Sequence, residues 1–164
     1  RRLINDDNGE VLGLPVNLII IVLIMILALP IIWSFAGLYI HNQVETNLIV
    51  ELNTLKKSIQ EVSNSEVQNK RIINLEIRDH PLAKLEYVEV GGNSPRKSKS
   101  IRFRFQDNSE KTIYLNTGTV ANITEQGLSY LELPEGQIQL FLEKKSYSKN
   151  ELVIIGMIEG DVNQ

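Results

Sequence analysis

The chain has 164 residues, with 17 Lys and Arg against 20 Asp and Glu and a formal net charge of −3. A slightly acidic chain lacks the electrostatic footprint of a dedicated nucleic-acid binder, so no nucleic-acid partner is expected. Cysteine is absent, which excludes disulfides and thiolate chemistry. The length suits one modest domain plus a long helix, and the apolar residues, 43% of the total, crowd toward the N-terminal side.

Residues 1–10, RRLINDDNGE, read as a polar N-terminal tail. The Asn/Asp run from Asn5 to Asn8, followed by Gly9, is turn-like. It is expected to be a solvated terminus rather than a site for a hard cation.

Residues 11–40, VLGLPVNLIIIVLIMILALPIIWSFAGLYI, carry no charge. At ~1.5 Å per residue they span ~45 Å as a helix, and a bilayer needs only ~20 such residues. The stretch is apolar around its whole circumference, so every face needs cover. Lipid can supply it, and so can identical helices packed together. The run is too long for the apolar core of a secretory signal and is read as a permanent structural helix. Pro15 is tolerated in a first helical turn. Asn17 is the one amide in the run, and a partner for it is expected. Pro30, in the interior, removes a backbone hydrogen bond and is expected to kink or locally melt the helix. Trp33 and Tyr39 stand toward the C-terminal end, where such residues mark a lipid–water interface.

From residue 41 to 63 the pattern becomes amphipathic. Val44, Leu48, Leu52, Leu55, Ile59 and Val62 form a stripe at steps of three and four, with Glu45, Glu51, Lys56, Lys57 and Glu61 off it. No Gly or Pro interrupts this part, so one helix of ~50 residues, ~75 Å long, is expected. Its stripe needs cover from the following domain or from a neighbouring subunit.

After the polar segment 63–69 the period changes to that of strands. Runs at 71–78, 84–90, 100–106, 111–116, 120–123, 128–133, 137–144 and 151–158 alternate with turn signals. These signals are Gly91-Gly92, Asn93-Ser94-Pro95, Asp107-Asn108-Ser109, Thr117-Gly118 and Pro134-Glu135-Gly136, the last read as a hairpin turn. In the third run Ile101, Phe103 and Phe105 share one face and Arg102 and Arg104 the other. Roughly seven short strands at this spacing predict a small antiparallel sandwich-like head over 71–164. The fold class is α+β, with a long helix, apolar and then amphipathic, leading into that head.

No catalytic, cofactor-binding or metal-binding residue is expected, and the chain does not read as an enzyme. His41 and His80 are far apart and sit in no motif, and His41 reads as a boundary residue. The glycines cradle no phosphate, no serine has a strand–turn–helix context, and no carboxylate pair stands out for acid–base work. Arg96, Lys97, Lys99, Arg102 and Arg104 form a basic cluster, read as a solvated face. Phe103 and Phe105 point away from it, and no aromatic interleaves for base stacking. Asn122-Ile123-Thr124 is an N-glycosylation sequon, expected in or beside a loop.

The layout of a long N-terminal apolar helix, its amphipathic continuation and a β head resembles a type IV pilin, most closely the archaeal kind that includes archaellins. Gly9 and Glu10 ahead of the apolar run resemble a prepilin-peptidase site, and Leu29-Pro30 resembles the helix-breaking proline of many bacterial pilins. The pattern departs from the bacterial one at Gly13 and Leu14, where a glutamate is usual. The tail up to Gly9 also stands where a mature subunit would have lost it, which moves the expected processing point ahead of Arg1. The resemblance implies a structural subunit of an extracellular filament serving adhesion or motility, a homo-oligomer that waits in the membrane with its head outside. It also implies contacts with the cell surface or an S-layer, and it gives weight to glycosylation of Asn122. Arg1 and Arg2 favour the tail inside. The alternative is a monotopic anchor holding a β domain at the cell surface, as in accessory or stator proteins of archaeal filaments.

Overall fold

The computed structural model describes residues 8–106, 110–116, 118–147 and 150–158. One helix, α1, runs Asn8–Ser63, 56 residues. The chain forms two compact units, Arg1–Ile40 and His41–Gln164, with the division inside α1.

In the first unit the helix begins earlier than the tail boundary at residue 10 implied. Gly9 and Glu10 stand in its first turn. The rest of the expected tail, residues 1–7, lies outside the described residues. Helical structure continues through Pro30, so the local melting expected there does not occur. Proline's fixed φ suits a helix; it removes its own N–H bond to the preceding turn and crowds that turn's carbonyl, which bends a helix without having to melt it. The Ser34 hydroxyl donates to the Pro30 carbonyl at 2.9 Å.

In the second unit the stripe of α1 becomes core. Leu48, Leu52, Leu55, Ile59 and Val62 are buried against the inner faces of the strands. The strands are β1 (Lys70–Ile77), β2 (Leu85–Val90), β3 (Ser100–Phe105), β4 (Glu110–Tyr114), β5 (Thr119–Thr124), β6 (Gly127–Ser129), β7 (Leu131–Glu132), β8 (Gly136–Tyr147) and β9 (Asn150–Met157). They form a five-stranded sheet in the order β1-β8-β9-β5-β6 and a four-stranded sheet in the order β4-β3-β2-β7. Period-two alternation sets which side chains face in. Ile73, Leu75 and Ile77 of β1, Val88 and Val90 of β2, Ile101, Phe103 and Phe105 of β3, Leu140 and Leu142 of β8, and Val153 and Ile155 of β9 share one core with the helix stripe. Phe103 and Phe105 meet edge to face, centroids 6.0 Å apart. The following domain, not a neighbouring subunit, therefore covers the amphipathic half-helix.

Three features differ from the expected antiparallel head. First, β5 pairs with β9 in parallel, Val120 opposite Val153, so the larger sheet is mixed. Second, the run 128–133 is two strands, divided at Tyr130 and belonging to different sheets. Third, Pro134-Glu135-Gly136 is a crossover rather than a hairpin. It leads from β7, paired with β2, to β8, paired with β1 and β9. Gly136 makes the change of direction at φ 110°, a conformation that favours glycine.

Two glycines are fixed by close approach. Gly91 (φ 73°) lies against β5, where an added Cβ would stand 2.2 Å from the Val120 carbonyl oxygen. Its neighbour Gly92 donates its N–H to that oxygen at 3.0 Å, pinning the β2–β3 connection to the other sheet. Gly156 of β9 lies under the ring of Phe141 on β8, where an added Cβ would stand 2.4 Å from a ring carbon.

Candidate functional site

The largest chemically distinctive surface is α1 ahead of the head. Within it an eighteen-residue window has a mean hydropathy of 3.0, and none of it is buried. Leu18, Ile19, Leu23, Ile24, Ile26 and Leu27 are all exposed, as are Trp33 at 70% and Tyr39 at 68%. Exposure on every side is the structural counterpart of a run with no polar face. It far exceeds the scattered apolar residues normal on a soluble surface. The helix is long and apolar enough to cross a membrane.

The outer face of the four-stranded sheet carries the basic residues of β3. Arg102 Nη2 lies 2.7 Å from Glu89 Oε2 on the cross-strand neighbour. The approach is close but misaligned: Arg102 Nε and Nη2 make no directed hydrogen bond, so this is an ion pair alone. Arg104 sits 3.6 Å from Glu86 and 3.8 Å from Glu110, with its guanidinium carbon 5.2 Å from the Tyr87 ring centroid. A side-chain hydrogen bond with Tyr87, followed by the Glu86 carboxylate, holds the Arg104 guanidinium above its ordinary value. The expectation that no aromatic interleaves with this cluster is thus corrected. Tyr87 comes from the adjacent strand, a pairing invisible in the linear spacing of β3, and Arg104 covers its ring. The remaining cations, Arg96, Lys97 and Lys99, are exposed around a single 3-10 turn, Lys97–Lys99.

The sequon occupies the end of β5, beside the turn that follows it, with Asn122 opposite Ser129 of β6. Asn122 is half-buried, and the Thr124 hydroxyl donates to the Gly127 carbonyl at 3.0 Å. The two-residue turn beyond it, Glu125 and Gln126, is exposed. Gly9 and Glu10, the candidate processing residues, are helical, and Pro30 stands within the exposed apolar stretch.

The histidines have structural surroundings. His41 packs on Phe105 with centroids 4.9 Å apart, and its Nε2 lies 3.8 Å from Glu45. Glu45 also pairs with Lys111. His80 Nδ1 accepts the Leu82 N–H at 3.1 Å. Among the described residues no group of three or more acidic or histidine side chains could hold a metal ion. Open grooves run beside Glu51, Glu76 and Arg78, and beside Asn93, Ser98 and Asn150. In the first, Arg78 donates to Glu76 at 2.8 Å and holds that carboxyl below its ordinary value.

The arrangement therefore combines a β head that has its own core with an apolar helix surface exposed on all sides. Comparison with protein-family models, with characterised proteins and with solved structures finds no match for this chain.

Proposed function

We propose that the chain is a structural subunit of an extracellular, type IV pilus-like filament, non-catalytic, assembling through its apolar N-terminal helix. The single observation that carries this reading is the helix surface between Val16 and Tyr39, uncharged and exposed on all sides, on a chain whose head closes its own core. Packing such helices side by side would remove their apolar area from water, about 25 cal/mol per Å². The uncharged run of ~45 Å exceeds what a bilayer needs, which suits a multi-helix core. Before assembly the subunit waits in the membrane with its head outside, and in an archaeal-type host Asn122 is glycosylated.

The second reading is a permanent membrane anchor for the same head. It is favoured by one observation: the aromatic residues Trp33 and Tyr39, exposed near the end of the run, are placed as interfacial residues of a spanning helix would be. Shearing cells that express the chain and imaging the released material by negative stain separates the two. Filaments containing the chain support the first. Single subunits confined to the membrane pellet under every growth condition overturn it in favour of the second.

A further inference from the structure

We infer that the Asn17 side-chain amide donates a hydrogen bond to the Ile26 carbonyl of a second copy of this chain, and that this contact, repeated from copy to copy, sets the stagger of the packed helices. The inference rests on the filament reading and deepens it by naming a contact between subunits.

Two polar groups stand out in the apolar stretch of α1. The first is a carbonyl. The helix continues through Pro30, and proline has no N–H, so the Ile26 carbonyl loses the donor an α-helix would give it. Residues 18–32 carry no side-chain donor to replace it. Ser34, the nearest hydroxyl along the chain, donates instead to the Pro30 carbonyl at 2.9 Å. Both Ile26 and Pro30 lie on exposed surface. The second group is an amide. Asn17 is exposed, and the residues one turn away, Gly13, Leu14, Ile20 and Ile21, offer its side chain no polar partner. Asparagine carries two N–H donors. In a dry helical core the amide and the carbonyl are each unfavourable alone, and together they satisfy one another.

Their placement decides what kind of contact they make. Residues 17 and 26 are separated by about two and a half turns, so they stand on opposite faces of α1, ~13.5 Å apart along its axis. A closed pair of helices that satisfied both groups in both copies, parallel or antiparallel, would need them on one face. Opposite faces give a head-to-tail contact instead: each copy offers its amide to one neighbour and its carbonyl to another. A stagger of ~13.5 Å at every step prevents closure into a ring, so the series of contacts continues as an open polymer. Helices packed at the usual ~8–10 Å between axes leave a gap that an asparagine side chain spans.

The absence of native cysteine makes the stagger measurable. Ile24 and Trp33 are exposed, are also nine residues apart, and fall on the same two faces within ~20°. In filaments of full-length Ile24→Cys/Trp33→Cys, oxidation with copper phenanthroline is expected to give a ladder of covalent multimers, and neither single variant should cross-link. Dimers from Ile24→Cys alone mean helices packed in register and overturn the inference, as does a double variant that does not cross-link. A reciprocal pair of substitutions tests the bond itself. Asn17→Leu removes the donor, and Pro30→Ala gives the Ile26 carbonyl a donor from its own helix. Each alone leaves one group unpaired and should lower the temperature at which sheared filaments dissociate. The Asn17→Leu/Pro30→Ala double variant leaves neither unpaired and should dissociate close to the unmodified chain. A double variant whose loss is the sum of the two single losses overturns the pairing. If the unmodified chain forms no filaments, the filament reading falls and the inference with it. Filaments that give no ladder and additive losses remove the inference and leave that reading standing.

Discussion

Leu52 lies midway along the half-helix that the head covers, fully buried, while Val50, two residues earlier on the same helix, is exposed. Replacing each by alanine in turn tests which body covers the stripe. Leu52→Ala removes buried carbons and leaves a partly collapsible cavity, a loss of about 3 kcal/mol within the usual range for such sites. Val50→Ala removes carbons that already face water, and its cost stays within about 0.5 kcal/mol. The second unit begins at His41 and runs to Gln164. Its unfolding entropy is about 260 cal/mol/K at ~2.1 cal/mol/K per residue, so the two substitutions lower Tm by about 11 °C and at most about 2 °C. The assay is thermal circular dichroism of a fragment starting at His41, which is expected to fold cooperatively and remain monomeric without the apolar run. Equal shifts for the two variants would refute the reasoning, because the stripe would then take its cover from another subunit. A fragment with no cooperative transition would do the same.

The other expectations concern the exposed helix, a tight contact, a modification and a titration. Ile24→Asp places a carboxylate among apolar neighbours, where an isolated charge is strongly unfavourable, and should abolish filaments in sheared fractions while the head of the full-length variant still folds. Pro30→Ala should straighten and stiffen α1, since a bend at the missing N–H bond is expected there; an unchanged filament persistence length in micrographs counts against that bend. Gly156→Ala forces the Phe141 ring to move, at a cost of about 1–3 kcal/mol by denaturant melt, and Phe141→Ala should restore much of it in a double-mutant cycle. Intact mass of native material should show a glycan on Asn122, and an unmodified mass rejects it. Glu76 titrates below its ordinary value because Arg78 donates to it. Its contribution is thus complete above the ordinary carboxylate range and is lost as pH falls through the lowered value. Arg78→Gln should move the Glu76 titration upward in NMR, and an unmoved curve refutes the pairing.

Much of this architecture is legible in local pattern. The stripe from Leu48 to Val62 reads as a buried helix face, and it is one, because spacing at 3.6 residues per turn is a local property. The alternation at Ile101, Phe103 and Phe105 likewise names the inward face of β3, with Arg102 and Arg104 outward. Pairing partners are a different matter. Nothing near Val120 announces a parallel neighbour more than thirty residues away, and Tyr87 gives no local hint that Arg104 covers it. The Pro-Glu-Gly turn carries the same residues whether it closes a hairpin or crosses between sheets; only the partners of β7 and β8 decide. Pro30 shows a limit of another kind. Its missing N–H is certain from the sequence, but whether the helix melts depends on the turns on either side, and here they continue.

The position of β9 carries a consequence for biogenesis. Among the described residues it is the last strand, and it is the middle one of its sheet, flanked by β8 and β5. During synthesis the apolar run emerges more than a hundred residues ahead of it. Until β9 arrives, β5 and β8 have no common neighbour, and the inner faces around Leu142 and Val120 have no lid. The head therefore closes late, only once its C-terminal strand has emerged. A chain cut short before β9 would keep every element ahead of it and still leave the larger sheet split at its centre.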